Sequence, residues 1–162
     1  DYNLWHPAAQ ILIFVLFFIG GSSGSTSGGI KVVRHIIMFK QAVIHIKSLI
    51  HPKGVFTMRL NGSPVSNKVV ITVMGFIVVY MTTLFTGAFI VALSGAVTPF
   101  EALSAMLGCL GTVGPGFGAV GPANNYGFLP DFVKVTLSIS MIIGRLELFT
   151  VFILFSPWFW KK

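Results

Sequence analysis

The sequence predicts an all-α integral membrane fold built on a helix–pore-loop–helix unit, with a small cytoplasmic β-hairpin ahead of it. Three observations carry that expectation. Hydrophobic residues make up 54% of the chain and charged residues 9%, with a mean hydropathy of +0.88; a soluble domain would carry about a quarter charged residues. The stretch Val69 to Leu93 holds no charge and exceeds the roughly 20 residues a bilayer crossing needs. A much shorter apolar stretch, Phe100 to Leu110, runs straight into Gly111-Thr112-Val113-Gly114-Pro115-Gly116-Phe117-Gly118. An apolar helix of about 10 to 14 residues suits a re-entrant segment better than a crossing.

The first crossing is interrupted. Pro7 to Ile19 is apolar but covers only about 20 Å as a helix. It stops at Gly20-Gly21-Ser22-Ser23-Gly24-Ser25-Thr26-Ser27-Gly28-Gly29, and a basic helical stretch, Ile30 to Ile50, continues it. Residues 51–68 form a linker in which Val55 to Leu60 meets Asn61-Gly62 and then Ser63 to Ser66. Asn-Gly between β-prone residues predicts a hairpin, and Pro64 keeps its second arm short. The next unit spans 69–162: a helix over 69–93, a short helix over 99–110, a loop over 111–116 and a last helix over 132–156. Pro130-Asp131 opens that last helix, with the carboxylate placed to cap it, and Pro157-Trp158-Phe159-Trp160 closes it as an aromatic belt. Placing Pro7 on Pro130 brings Gly21 onto Gly144, a faint internal repeat in which residues 1–50 end one unit.

Charge sets the orientation. Lys31, Arg34, Lys40, Lys47, Lys53, Arg59 and Lys68 lie between the first two crossings, Lys161 and Lys162 follow the third, and Lys134 alone occupies the opposite side. The positive-inside rule puts 31–68 and the C-terminus in the cytoplasm and the N-terminus outside. The net charge of +7 therefore reflects topology, and no nucleic-acid partner is expected. Asp1-Tyr2-Asn3 lacks a basic n-region, so no cleavable leader is expected; the lack of an initiator Met suggests a piece of a longer chain. Cys109 is a lone thiol inside the short helix, which fits packing. His6, His35, His45 and His51 lack ligand spacing, so no metal centre or covalent cofactor is expected. With four acidic residues in all and no base–nucleophile set, an enzyme is disfavoured.

The short helix opens with agreeing signals: Thr98 as N-cap, Pro99 at its first position and Glu101 at its third, a capping box. Its C-terminal carbonyls carry partial negative charge toward Thr112. Beyond it, Gly111, Thr112, Val113 and Gly114 offer successive carbonyls, the way a cation filter replaces hydration water. The residues argue for a small monovalent cation held at Thr112 and Val113. A phosphate loop is a poor fit, because no lysine follows the glycines. Residues 20–29 would be a flexible linker in a soluble chain. Here they break a crossing, and irregular backbone at membrane depth survives only where protein buries it or a wet cavity adjoins it. Gly20 to Gly29 thus form a candidate gating loop below the carbonyls. Arg145 lies 14 residues past Asp131, about 20 Å along the last helix and so near mid-bilayer. Two roles stay open for it: a positive barrier held by loop carbonyls, or a structural ion pair with a segment absent from this sequence. Glu147 points to a different helix face and is a weak partner for it. A carrier with broken helices and a non-conducting membrane scaffold or regulatory subunit are the rival functional classes.

Several unrelated motifs in one order carry a family resemblance. Gly111 to Gly116, the Gly20–Gly29 loop followed by Ile30-Lys31, His51-Pro52-Lys53 with Arg59-Leu60-Asn61-Gly62, and Gly144-Arg145-Leu146-Glu147 through Pro157-Trp158 together resemble the TrkH branch of the Trk/Ktr bacterial potassium transporters. The resemblance covers nearly the whole chain and matches the family's C-terminal third: the second helix of repeat three, then repeat four. It implies four potassium-channel-like repeats around one pore. It also implies potassium as the substrate ion, symport-type uptake across the bacterial inner membrane, and a homodimeric membrane subunit. A cytoplasmic TrkA-like regulator would bind any nucleotide. By the same resemblance the filter is Gly111–Gly114, the gate is Gly20–Gly29, and the charge below the filter is Arg145.

Overall fold

A computed structural model describes residues 1–54, 56–155 and 157–160. The expected end of the last crossing at Ser156, the Lys161-Lys162 tail and the start of the hairpin arm at Val55 lie outside the described residues. Seven α-helices and one hairpin are described, in the order α1 (Pro7–Phe18), α2 (Val32–Ile50), β1 (Arg59–Leu60), β2 (Ser63–Pro64), α3 (Asn67–Ala92), α4 (Pro99–Leu110), α5 (Asp131–Arg145), α6 (Leu148–Phe155) and α7 (Pro157–Trp160).

The centre of the molecule is α4. Ala102, Ser104 to Leu110 are all buried, as expected of a helix that is apolar on every side. Three helices enclose it. From α3, a stripe at helical spacing turns inward: Phe76, Tyr80, Leu84, Gly87, Ala88 and Val91. From α5 come Val133, Leu137, Ser140 and Gly144. From α1, Phe17 packs into an aromatic cluster with Tyr2, Phe14, Phe100 and Phe117. The opposite faces carry exposed Ile71, Val78, Phe85, Phe89, Val135 and Ile139, as a lipid-facing or repeat-facing surface requires.

α3 is the one described helix long and apolar enough by itself to cross a membrane, with a mean hydropathy of 2.2 over its best window. α1 and α4 are the two shorter apolar helices. A second, smaller core of Ile37, Met58, Val70 and Val73 fastens α2 and the hairpin to the base of α3. The hairpin expected at Asn61-Gly62 forms, with Leu60 opposite Ser63 and Arg59 opposite Pro64. Asn61 and Gly62 both adopt positive φ, 50° and 83°, the two-residue turn that matches strand twist.

Two expectations about the last helix need correction. It is not one helix over 132–156: α5 ends at Arg145 and α6 restarts at Leu148, bent by 105°. Glu147 at the break has φ 63°, which a helix does not admit. With the bend, both Arg145 and Glu147 reach polar partners, Thr26 O for the first and Lys31 and Arg34 for the second. Asp131 does not cap α5 either. Its N-cap is Pro130, without a side-chain bond, and the Asp131 carboxylate instead meets Lys134 at 3.3 Å, exposed to solvent.

Candidate pore segment and intramembrane loop

The segment after α4 leaves the helix at once and climbs back along it. The capping box forms as read from sequence: Thr98 N–H donates to Glu101 Oε2 at 2.8 Å and Glu101 N–H to Thr98 Oγ1 at 3.4 Å. At the other end, Thr112 N–H bonds Cys109 O at 3.1 Å, and Val113 and Gly114 N–H bond Gly108 O at 2.8 and 3.1 Å. The amides of 112–114 are thereby turned back onto α4. Among the described residues, the carbonyls of Gly111, Thr112 and Val113 accept no hydrogen bond. Thr112 has φ 56°. A β-branched residue there is an outlier that costs about 1–3 kcal/mol and persists only where its surroundings over-determine it.

Further along, the chain is fastened residue by residue. Phe117 N–H donates to Ser104 Oγ at 2.9 Å, Ala119 N–H to Glu101 Oε1 at 2.7 Å, and Gly118 N–H to Asn3 Oδ1 at 3.1 Å. Tyr126 Oη donates to Gly114 O at 2.9 Å, and Tyr2 Oη donates to Gly116 O. Gly108 permits this return path, because a Cβ there would lie 2.7 Å from Pro115 O. The Ala119 and Thr98 amides hold the Glu101 carboxyl below its ordinary value.

Residues 20–29 form a closed loop rather than a linker. Ile19 and Ile30 pair as a bridge, Gly20 N–H bonds Ile30 O at 2.9 Å, and Val32 N–H bonds Gly21 O at 3.2 Å. Inside it, Gly21 N–H donates to Ser27 Oγ at 2.9 Å and Ser27 N–H to Ser25 Oγ at 3.2 Å. The hydroxyls thus satisfy main-chain groups that have no helix partner. Ser22, Ser23 and Gly24 are exposed, while Gly28 and Gly29 are buried.

Loop and pore segment meet at Gly28. Its N–H donates to Thr112 Oγ1 at 2.8 Å. A Cβ at 28 would sit 2.7 Å from Thr112 Cγ2 and 2.9 Å from Gly144 O, so only glycine fits between the two segments. Arg145 Nη1 donates to Thr26 O. Ser27, Thr26, Thr112, Val113 and Arg145 line one open cavity of about 800 Å³. The three features singled out in the sequence, far apart along the chain, therefore share one space.

Sequence reasoning missed the side chains that hold this arrangement. Glu147 pairs with Lys31 at 2.7 Å and Arg34 at 3.3 Å, and the Arg34 guanidinium lies 3.7 Å above the Phe76 ring. The i+2 spacing correctly separated Glu147 from Arg145, but no local signal pointed to α2. Tyr2, Asn3 and Tyr126 act on the pore segment, two of them from over a hundred residues away. Gly144 was singled out as a member of the faint repeat and of the Gly144-Arg145-Leu146-Glu147 motif, but not as a contact of Gly28. Of the histidines, His35 Nε2 lies 3.0 Å from Phe18 O at the end of α1. Among the described residues no group of three or more His, Cys, Asp or Glu gathers as a metal site.

Comparison with known proteins agrees in sequence and in fold. The family model "TrkH: Cation transport protein" matches residues 1–162. The Trk system potassium uptake protein TrkG of Escherichia coli is 38% identical over 163 residues, covering all of this chain and 33% of that protein. TrkH of Halomonas elongata is 38% identical over 162 residues, again all of this chain and 33% of the relative. The crystal structure of the potassium transporter TrkH from Vibrio parahaemolyticus superposes with a TM-score of 0.87 at 36% identity, covering 97% of this chain and 33% of that one. The chain thus spans about a third of the length of its relatives. It belongs to the TrkH family of cation transport proteins.

Proposed function

We propose that this chain supplies one pore-loop repeat, and the inner half of the repeat before it, to a protein that takes up potassium across the bacterial inner membrane. One observation carries the reading. The amides of 112–114 are consumed by the C-terminal end of α4, while among the described residues the carbonyls of Gly111, Thr112 and Val113 accept no hydrogen bond, and Thr112 and Val113 line the cavity. Oxygens held this way can replace a cation's hydration shell, and the negative end of the α4 dipole favours a cation there. The remaining repeats of the same polypeptide complete the ring, because one segment cannot encircle an ion. Relatives named for potassium uptake support potassium as the substrate ion.

In this reading Gly20–Gly29 is the gate, and Arg145 is a fixed positive charge below the filter, steadied by the Thr26 carbonyl. A homodimer partner, a cytoplasmic TrkA-like nucleotide-binding regulator and a symport-type coupling complete the proposal. The positive-inside count puts the N-terminus of this segment in the periplasm and residues 31–68 on the regulator's side.

Gly114→Ala in the full-length transporter tests the filter. Gly114 has φ 104°, closed to any residue with a Cβ, so the variant must rearrange 112–114. Rubidium uptake into vesicles, with sodium as competitor, should lose its preference for potassium-sized ions. An unchanged preference in a normally inserted variant would remove the filter assignment from 111–114.

A further inference from the structure

Two tyrosine hydroxyls reach main-chain oxygens at the outer end of the proposed filter, and nothing in the ion path itself requires them. Tyr126 Oη donates to Gly114 O at 2.9 Å, from the loop between the pore segment and α5. Its ring is half-buried and packs against the central core. Tyr2 Oη donates to Gly116 O, with its ring against Phe17 and Phe117. Burial pushes the Tyr126 phenol above its ordinary range, so it stays a donor at every physiological pH.

The consequence concerns which oxygens an ion can use. Gly111, Thr112 and Val113 O are unbonded, but Gly114 O has a partner and a direction. Pro115 follows immediately and has no amide hydrogen to bond the scaffold. At the junction of 114 and 115 the backbone therefore lacks an anchor through its amide, and the Tyr126 hydroxyl supplies one through the carbonyl. We infer that Tyr126 is a specificity-determining positioning residue: its hydroxyl draws Gly114 O out of the ion path and ends the coordinating run at Val113. The inference rests on the filter reading above.

Tyr126→Phe removes one oxygen and keeps the ring. In full-length transporter reconstituted in vesicles, potassium, rubidium and sodium flux are measured per inserted protein. Discrimination against sodium should fall about fivefold, the equivalent of one neutral hydrogen bond, with potassium flux within about a factor of two. Tyr2→Phe acts two residues further out and should change discrimination less. Unaltered discrimination in Tyr126→Phe, where Gly114→Ala abolishes it, overturns the inference and leaves the filter reading intact. If Gly114→Ala and Tyr126→Phe both leave discrimination untouched, the filter reading itself has failed. A Tyr126→Phe protein that does not insert, or that loses flux of all three ions equally, marks the hydroxyl as structural and also overturns the inference.

Discussion

Two stretches of irregular backbone lie at the heart of this molecule, and they are held in opposite ways. Residues 111–121 are fastened from outside, by Glu101 and Ser104 of α4, Asn3 and Tyr2 of the N-terminal turn, and Tyr126 of the following loop. Residues 20–29 are fastened chiefly by themselves, through serine hydroxyls and a bridge at the base. They meet the rest of the protein through Gly28 to Thr112, Thr26 O to Arg145 and a long 3.5 Å contact from Lys31 to Ser23 O. Segments with few outside bonds and exposed backbone open at the lowest free-energy cost. The first arrangement suits a rigid ring of oxygens. The second suits an element that must move as a body, which is what the proposed gate needs.

The sharpest way to break this contrast is to remove the guanidinium. Arg145→Ala releases Thr26 O and removes the positive charge beside the cavity, and cation flux through the full-length transporter should rise about tenfold, equivalent to about 1.4 kcal/mol of barrier. Unchanged flux would reduce Arg145 to a structural contact. Gly28→Ala comes next, because the added carbon meets Thr112 and the Gly144 carbonyl at under 3 Å. The loop must back away from the pore segment. Flux should become less dependent on the proposed regulator, while the hydrogen exchange of 111–121 stays slow. Fast exchange in both loops would mean that they move as one unit and that the distinction is wrong.

Glu147→Gln tests the ion pairs that tie the break after α5 to the start of α2. It weakens the links to Lys31 and Arg34 at the base of the loop. The carboxylate is 43% exposed, so the loss in thermal stability should stay near 1 kcal/mol or less, with a larger effect on open probability than on unfolding. The smallest effect on ion flux is expected at the outer end. Glu101→Gln should lower stability by about 1 kcal/mol, and the difference should depend on pH. The folded Glu101 carboxyl titrates below its ordinary value of 4.5, so its contribution is complete above that value and is lost as pH falls through the lower, folded one. Melting curves of wild type and variant should therefore converge in acid and separate toward neutrality.

Much of this was legible in the chain. The start of α4 was readable to the residue, because Thr98-Pro99-Phe100-Glu101 is a complete start signal; its end was expected at about Gly108 or Leu110 and falls at Leu110. The Asn61-Gly62 turn and the Val69–Leu93 span were equally local. The last helix was misjudged because hydropathy runs apolar on both sides of Leu146-Glu147, and nothing nearby announces the left-handed Glu147. Its cause lies over a hundred residues away, in Lys31 and Arg34. Tyr2 and Tyr126 were invisible for the same reason: a tyrosine flanked by polar residues gives no hint of which carbonyl it will find.

The sequence by itself determined what depends on neighbours within a turn or two: helix starts, the hairpin, the half-length of α4 and the run of carbonyls after it. Tertiary structure alone decided where those carbonyls sit, which of them keep a free oxygen, and how Gly28, Thr112 and Arg145 come to share one cavity. Local bonds are set by composition and spacing over a few residues. The contacts that aim the oxygens join segments up to a hundred and more residues apart, and only the packing of α1, α3 and α5 around α4 brings those segments within reach.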